Sequence, residues 1–336
     1  MEVSDLTPQA GGVKVDAAIA YAKANAGTYT LLIDQNIELG PQSLNVANVD
    51  LTIASLRGAK EIKLSQQGRF FNVGAAGQSN ISLTLGNITL RGLSTRVNSD
   101  STDNIYGMIK VSNGAEFVML PGSKITGNEV VGLYGAGNDE DTIYVNNSTF
   151  RMEGGEIFDN INESQNNVYT SGGVYISNGG RLLMSGGRIY DNLGPLGDVY
   201  VGGNSTSIPT LGIGAITLSG NAEIEILMLN CFGIGGVNNN TCAVIDRWTG
   251  KVDQLWLRGS APAGSPGNVT ATIGSEWSGE KVLESAGDPL SSTQTAKFTL
   301  GDFQSSDGYS WPIYYSGNSK QNYEIQVPSG ALVPVL

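Results

Sequence analysis

Two aspartates and three tyrosines recur at matched places in this chain, and they bound the chemistry it could do. Asp159 stands in GGEIFDN and Asp191 in GGRIYDN, each after an aromatic residue and before an asparagine. Stacked as neighbouring strands, the two phrases would bring the carboxyl groups to about 5 Å, a separation at which a retaining glycosidase pairs a nucleophile with an acid/base. The same stacking would also place them at a solvated or asparagine-bonded corner with no part in catalysis. Tyr144, Tyr175 and Tyr200 each lie between two aliphatic residues, in TIYVN, GVYIS and DVYVG. Aligned rings of that kind suit either a platform for pyranose faces or a cross-strand ladder that only stabilises a sheet.

Other chemistries fall away on composition. The 336 residues include no histidine, which removes the usual base of a Ser-His-Asp or Cys-His enzyme and the commonest zinc ligand. Cys231 and Cys242 are too few for a zinc site and too far apart for a CxxC motif; they either close a short loop as a disulfide or remain buried thiols. A net charge of −12 argues against nucleic acid, whose binding rests on lysine and arginine neutralising phosphates. No apolar run approaches the roughly 18 to 20 residues that span a bilayer as a helix. The acidic stretches NSDSTDN (98–104) and GNDED (137–141) offer oxygen ligands suited to calcium, yet neither has the full spacing of a calcium loop, so calcium stays open without being indicated and no cofactor is expected.

The elements that would position the aspartates and tyrosines follow from a repeat. The phrase G-x-I-x-x-N recurs with its isoleucine at Ile125, Ile157 and Ile189 (157 − 125 and 189 − 157 are both 32), with weaker copies around Ile88 and Ile224. Self-similarity at such a step marks a stacked array. Inside each repeat the apolar period is two, as in GMIKVSN, DTIYVNN and GGVYISN, which gives three short strands per repeat and no helix. A unit this short cannot cover its own apolar face, so successive coils must stack, each strand pairing in parallel with its counterpart about 4.8 Å along the axis. The expected fold is therefore all-β, a right-handed single-stranded parallel β-helix.

Stacking assigns the phrase its parts. Met152 and Met184, with Leu120, are expected to fill one internal column, and the three isoleucines another. Glycines permit the corners, and Asn128, Asn160 and Asn192 form an amide ladder that satisfies backbone groups no strand reaches. Outward, Lys110 begins the column of Tyr144, Tyr175 and Tyr200. A second outward column runs Lys124, Glu156, Arg188, beside Thr126, Phe158, Tyr190.

The M-x-G-G-x-I-x-x-N coil, preceded by a strand such as GGVYISNGG, resembles the pectin-lyase-like right-handed β-helix repeats of bacterial surface and adhesin-like proteins. The resemblance covers roughly residues 70–230. It implies the fold, while the scaffold itself serves lyases, hydrolases, adhesins and structural shells alike. The chain has no adjacent Asp-Asp pair and no Arg-Ile-Lys motif of the polygalacturonase kind, so no catalytic residue transfers from that family.

The organisation expected is an N-terminal cap over 1–30, coils over 31–258, and degenerate final coils or a β cap over 259–336. Within the first cap, Val13, Ala17, Ala20 and Ala24 fall at helical spacing and predict a short amphipathic helix over 12–26. The low-charge, Gly/Asn/Ser/Thr-rich composition points to a mature secreted or cell-surface chain whose leader has been trimmed from before MEVSDL. Three functions remain open: a non-catalytic adhesin-like or structural module that binds glycans or partner proteins, a polysaccharide-active lyase or hydrolase, and a self-assembling filament or shell subunit. Composition leaves the oligomeric state open.

Overall fold

The computed structural model describes residues 11–94, 106–130, 141–162, 170–202, 215–229, 241–248 and 250–257, and six further strands after residue 269. It is a parallel β-helix, as the repeat requires. The first face stacks Gly27–Ile33, Val49–Ser55, Ile81–Gly86, Glu116–Met119, Thr149–Met152, Arg181–Met184, Ala215–Gly220 and Thr241–Trp248 in that order. The second stacks Ile37–Leu39, Lys60–Leu64, Ile88–Arg91, Lys124–Thr126, Glu156–Phe158 and Arg188–Ile189. The third stacks Gln42–Leu44, Phe71–Val73, Ile109–Ser112, Ile143–Asn146, Val174–Ser177 and Val199–Val201. Every pairing within these faces is parallel, so each chemical type repeats along the axis in register.

Between the faces lies one continuous apolar core. Ile125, Ile157 and Ile189 are each fully buried and directly paired. On the first face Phe117 pairs with Phe150, and the two rings stack inside the core with centroids 4.9 Å apart. The methionine column is Met119–Met152–Met184, continued by Leu218; Leu120, expected in that column, lies half-buried outside it. The reason is one extra corner residue: LPGS separates Met119 from Lys124, whereas EGG separates Met152 from Glu156. A sequence alignment anchored on the isoleucine shifts the preceding strand by one, which in a two-residue period exchanges inside for outside.

The N-terminal helix spans Gly11–Ala24 and packs on the strand Ile37–Leu39. Its buried residues are Val15, Ile19 and Ala22, while Ala17, Ala20 and Ala24 are exposed. The face predicted from the alanines is therefore the wrong one. Alanine has little area to bury, and the helix rotates to place the larger Val15 and Ile19 over the open coil.

At Glu223–Leu229 the cross-section changes. This seven-residue strand pairs with the second face through Glu223–Arg188 and Ile224–Ile189, and with the third through Leu227–Val199 and Leu229–Val201. Two faces thus merge into one. Lys251–Leu257 follows the same merged course, so the coil becomes two-sided where it had been three-sided. Beyond residue 258, Thr270–Ile273 and Lys297–Leu300 continue the first face in parallel, and Ile313–Ser316, Asn322–Gln326 and Ala331–Pro334 pair antiparallel.

Candidate functional site

Polar side chains gather at the corner between the second and third faces. Asn128, Asn160 and Asn192 are buried there. The Asn160 amide donates to Ile125 O (3.2 Å), Phe158 O (3.0 Å) and Asn192 Oδ1 (2.8 Å), and its own Oδ1 accepts the Asn128 N–H at 3.1 Å. Asn192 repeats the pattern on Ile157 O and Tyr190 O. Each amide therefore closes its own turn and bonds to the next coil, which is what a buried corner without strand partners needs.

The ladder ends on a carboxylate that the repeat alone does not reveal. Asp198 is buried, and its Oδ1 accepts both the Asn192 N–H and the Asn192 amide at 2.9 Å, while Oδ2 accepts the Ile226 N–H at 3.0 Å. It joins the last three-sided coil to the merged strand. Burial pushes its pKa up to about 6, against the opposing hydrogen bonds from Asn192 and with a further push from Glu225. A second buried carboxylate, Asp141, accepts the backbone N–H and the hydroxyl of Ser171. Both carboxylates are used to hold corners.

Asp159 and Asp191 occupy equivalent places on adjacent coils, and the Asp159 N–H donates to Asp191 O at 3.1 Å. Both lie in the left-handed region, with φ of 53° and 52°. The matching residue one coil earlier is Gly127, with φ of 68°. That conformation excludes most side chains but tolerates glycine, asparagine and aspartate, so the backbone accounts for the aspartates without any chemistry. Accordingly Asp191→Gly should leave thermal stability within about 0.5 kcal/mol of the parent, whereas Asp191→Ala should lose about 1 kcal/mol. Denaturant melts of the two variants check this. A glycine variant that lost as much as alanine would assign the carboxylate a role that the backbone does not.

Tyr144, Tyr175 and Tyr200 pair in register as expected, with centroids 5.3 Å and 4.8 Å apart, and Lys110 stands 5.7 Å over the Tyr144 ring. They are nevertheless only 3%, 7% and 3% exposed, in a small apolar cluster with Leu196 and Met228 outside the third face. Among the described residues, Leu196 and Met228 pack in the cluster and two further features crowd the column. Neighbouring rings lean over one another at tilts of 44° and 30°, and at the Tyr200 end the chain runs so near that a β-carbon on Gly202 would stand 2.7 Å from the ring. The arrangement corresponds to a stabilising ladder and offers no open aromatic platform. The Tyr144 hydroxyl accepts hydrogen bonds from Asn146 Nδ2 (2.8 Å) and Ser177 Oγ (3.0 Å).

The second face carries a column of outward charges that alternate in sign. Lys124 Nζ lies 2.6 Å from Glu156, and Arg188 Nε 3.7 Å from Glu223. Beside them Phe158 and Tyr190 stack nearly parallel, with centroids 5.4 Å apart. Arg188 sits 4.0 Å over the Tyr190 ring and Lys124 5.7 Å over Phe158. The hydrogen bond to Glu156 holds the Lys124 ammonium above its ordinary pKa. Among the described residues no group of three or more acidic or cysteine side chains is placed to hold a metal. The stretch 98–104 and residues 137–140 lie outside the described residues, as does Cys231; the backbone of Cys242 lies in Thr241–Trp248. Among the described residues no helix is long and apolar enough to cross a membrane.

No family model, no characterised protein and no solved structure matches the chain.

Proposed function

We propose that this chain is a non-catalytic β-helix module of a secreted or cell-surface protein, adhesin-like or structural, related to the pectin-lyase-like repeats its coils resemble. One observation carries the reading: the fold accounts for the side chains with chemical potential, the exposed Asp159 and Asp191 by backbone conformation and the others by burial and hydrogen bonding. Asp159 and Asp191 occupy left-handed corners, Asp141 and Asp198 accept backbone and side-chain donors, and the tyrosines are packed into a cluster. A rigid rod of stacked coils costs little to organise on binding, which suits display of its outer faces to glycans or to protein partners.

The test sets two assays side by side. Purified full-length chain is expected to release no reducing ends from neutral or acidic polysaccharides, and to retain a glycan or a surface protein on an array. Binding found this way should survive Tyr175→Ala in any variant that remains folded, since that ring is enclosed. Turnover on a polysaccharide that is lost in Asp159→Asn or Asp191→Asn would overturn the proposal in favour of a glycoside hydrolase or lyase.

A further inference from the structure

The outward side chains of the second face form two columns. One runs Glu61, Thr89, Lys124, Glu156, Arg188, Glu223, Lys251, each paired in register with the next. From Lys124 to Lys251 the sign alternates at every coil. The other column places Arg91 and Thr126 before the Phe158 and Tyr190 rings, with Asp253 far along on the coil of Lys251. The charged groups are solvent-accessible, with side chains 35% to 43% exposed for Lys124, Glu156, Arg188 and Glu223. The outward residues of the first face show no comparable alternation: Ser82, Glu116, Thr149, Arg181 and Ala215 follow one another there.

We propose that the second face associates with the same face of a second copy of this chain, side by side and antiparallel. With the two coil stacks kept in line, two identical faces can meet about a two-fold axis lying between them in two senses. With the axis along the coil stack, heights are kept and the columns are mirrored: an axis on the charged column sets Lys124 against Lys124 and Glu156 against Glu156, and an axis between the columns sets Lys124 against Thr126, Glu156 against Phe158 and Arg188 against Tyr190, so no charge meets its opposite. With the axis across the stack, columns still face their own counterparts, but heights are inverted. Placed between the coils of Glu156 and Arg188, that axis sets Glu156 opposite the second copy's arginine at 188, and Lys124 opposite the second copy's glutamate at 223. In the neighbouring column Phe158 meets Tyr190 and Arg91 meets Asp253. The sequence plus, minus, plus, minus becomes its own complement when inverted. A uniformly charged polymer would match one sign and clash with the other, so a second copy fits the pattern better than a polyanion or polycation does.

The face is narrow. Six coils at about 4.8 Å and strands about 10 Å wide give a few hundred Å² per copy, below the roughly 1,200 Å² in total that stable pairs bury. The association is therefore weak and concentration-dependent, and it becomes significant where copies are held near one another. It does not rest on the surface role proposed above.

Sedimentation equilibrium of the full chain, at salt of about 20 mM and about 500 mM, measures it. The parent is expected to dimerise at low salt and to weaken at least roughly tenfold at high salt. Glu156→Arg sets two like-charged contacts between copies and should leave a monomer. Glu156→Arg with Arg188→Glu should restore the dimer. Within one chain that double exchange worsens matters, setting Lys124 beside an arginine and Glu223 beside a glutamate. A purely internal ladder thus gives the opposite expectation. Circular dichroism follows folding, and should the first pair melt early, Lys124→Glu with Glu223→Lys asks the same question. A parent that stays monomeric at low salt, a dimer untouched by Glu156→Arg, or a folded double variant that stays monomeric would each overturn the proposal.

Discussion

Asn160→Leu is expected to lower the unfolding free energy by about 4 kcal/mol, although leucine keeps the branching and heavy-atom count of asparagine and the site lies in a corner away from the apolar core. The buried Asn160 amide serves Ile125 O, Phe158 O and Asn192 Oδ1, and its oxygen serves Asn128 N. Leucine leaves those partners buried and unmet, and each such group costs about 1–3 kcal/mol, partly recovered by relaxation and water. Since Asn192 shares one of these bonds, Asn160→Leu and Asn192→Leu combined should cost less than their separate effects together. Urea melts of the single and double variants measure both quantities. A loss under about 1 kcal/mol for Asn160→Leu would mean that water replaces the ladder at no cost.

The second large effect concerns pH. Asp198 in the folded chain holds its proton up to about pH 6, against an ordinary carboxyl value of 3.8. Between those values the folded chain binds a proton that the unfolded chain has released. The contribution to stability is therefore complete below about pH 4 and is lost as pH rises through about 6. A gap of about two units corresponds to about 3 kcal/mol. Asp198→Asn removes this titration, so the difference in stability between parent and variant should shift by about 3 kcal/mol, against the parent, from pH 4 to pH 7.5. Comparing the two proteins cancels the other carboxylates, which titrate in both. A difference that stays level across this range would show that the three N–H donors on Asp198 fully compensate its burial.

The repeat made most of the coil legible in advance. Ile125, Ile157 and Ile189, the asparagine ladder, the charge column and the register of the tyrosines all follow from a period of 32 residues laid over an alternation of two. What such a pattern does not encode is what lies outside the sheet. Alternation turns Tyr144, Tyr175 and Tyr200 away from the core, but nothing in it signals that Leu196 and Met228 pack with them or that the chain passes close to the Tyr200 ring at Gly202. Single-residue differences in corner length are equally silent, and one of them exchanged Leu120 for Met119. Asp198 holds the place of Thr142 and Gly173 in the preceding coils, so the repeat signals no carboxylate there, and only the short corner after Asn192 brings it against that residue. The aspartates were the reverse case. Their residue type suggested chemistry, and their φ angles account for it by conformation alone.

The merged strand Glu223–Leu229 also sets how such a chain can lengthen over evolutionary time. Between Asn128 and Asn192 one coil is interchangeable with the next, so an unequal crossover that duplicates or deletes 32 residues would leave every column continuous. A copy of the segment that crosses Asp198 and the merged strand would instead seat a three-sided coil on a two-sided one, with no asparagine for its corner to bond. Growth and shrinkage by whole three-sided coils are thus confined to the N-terminal side of Asp198, and length variants that gain or lose such coils should differ there and keep the junction once.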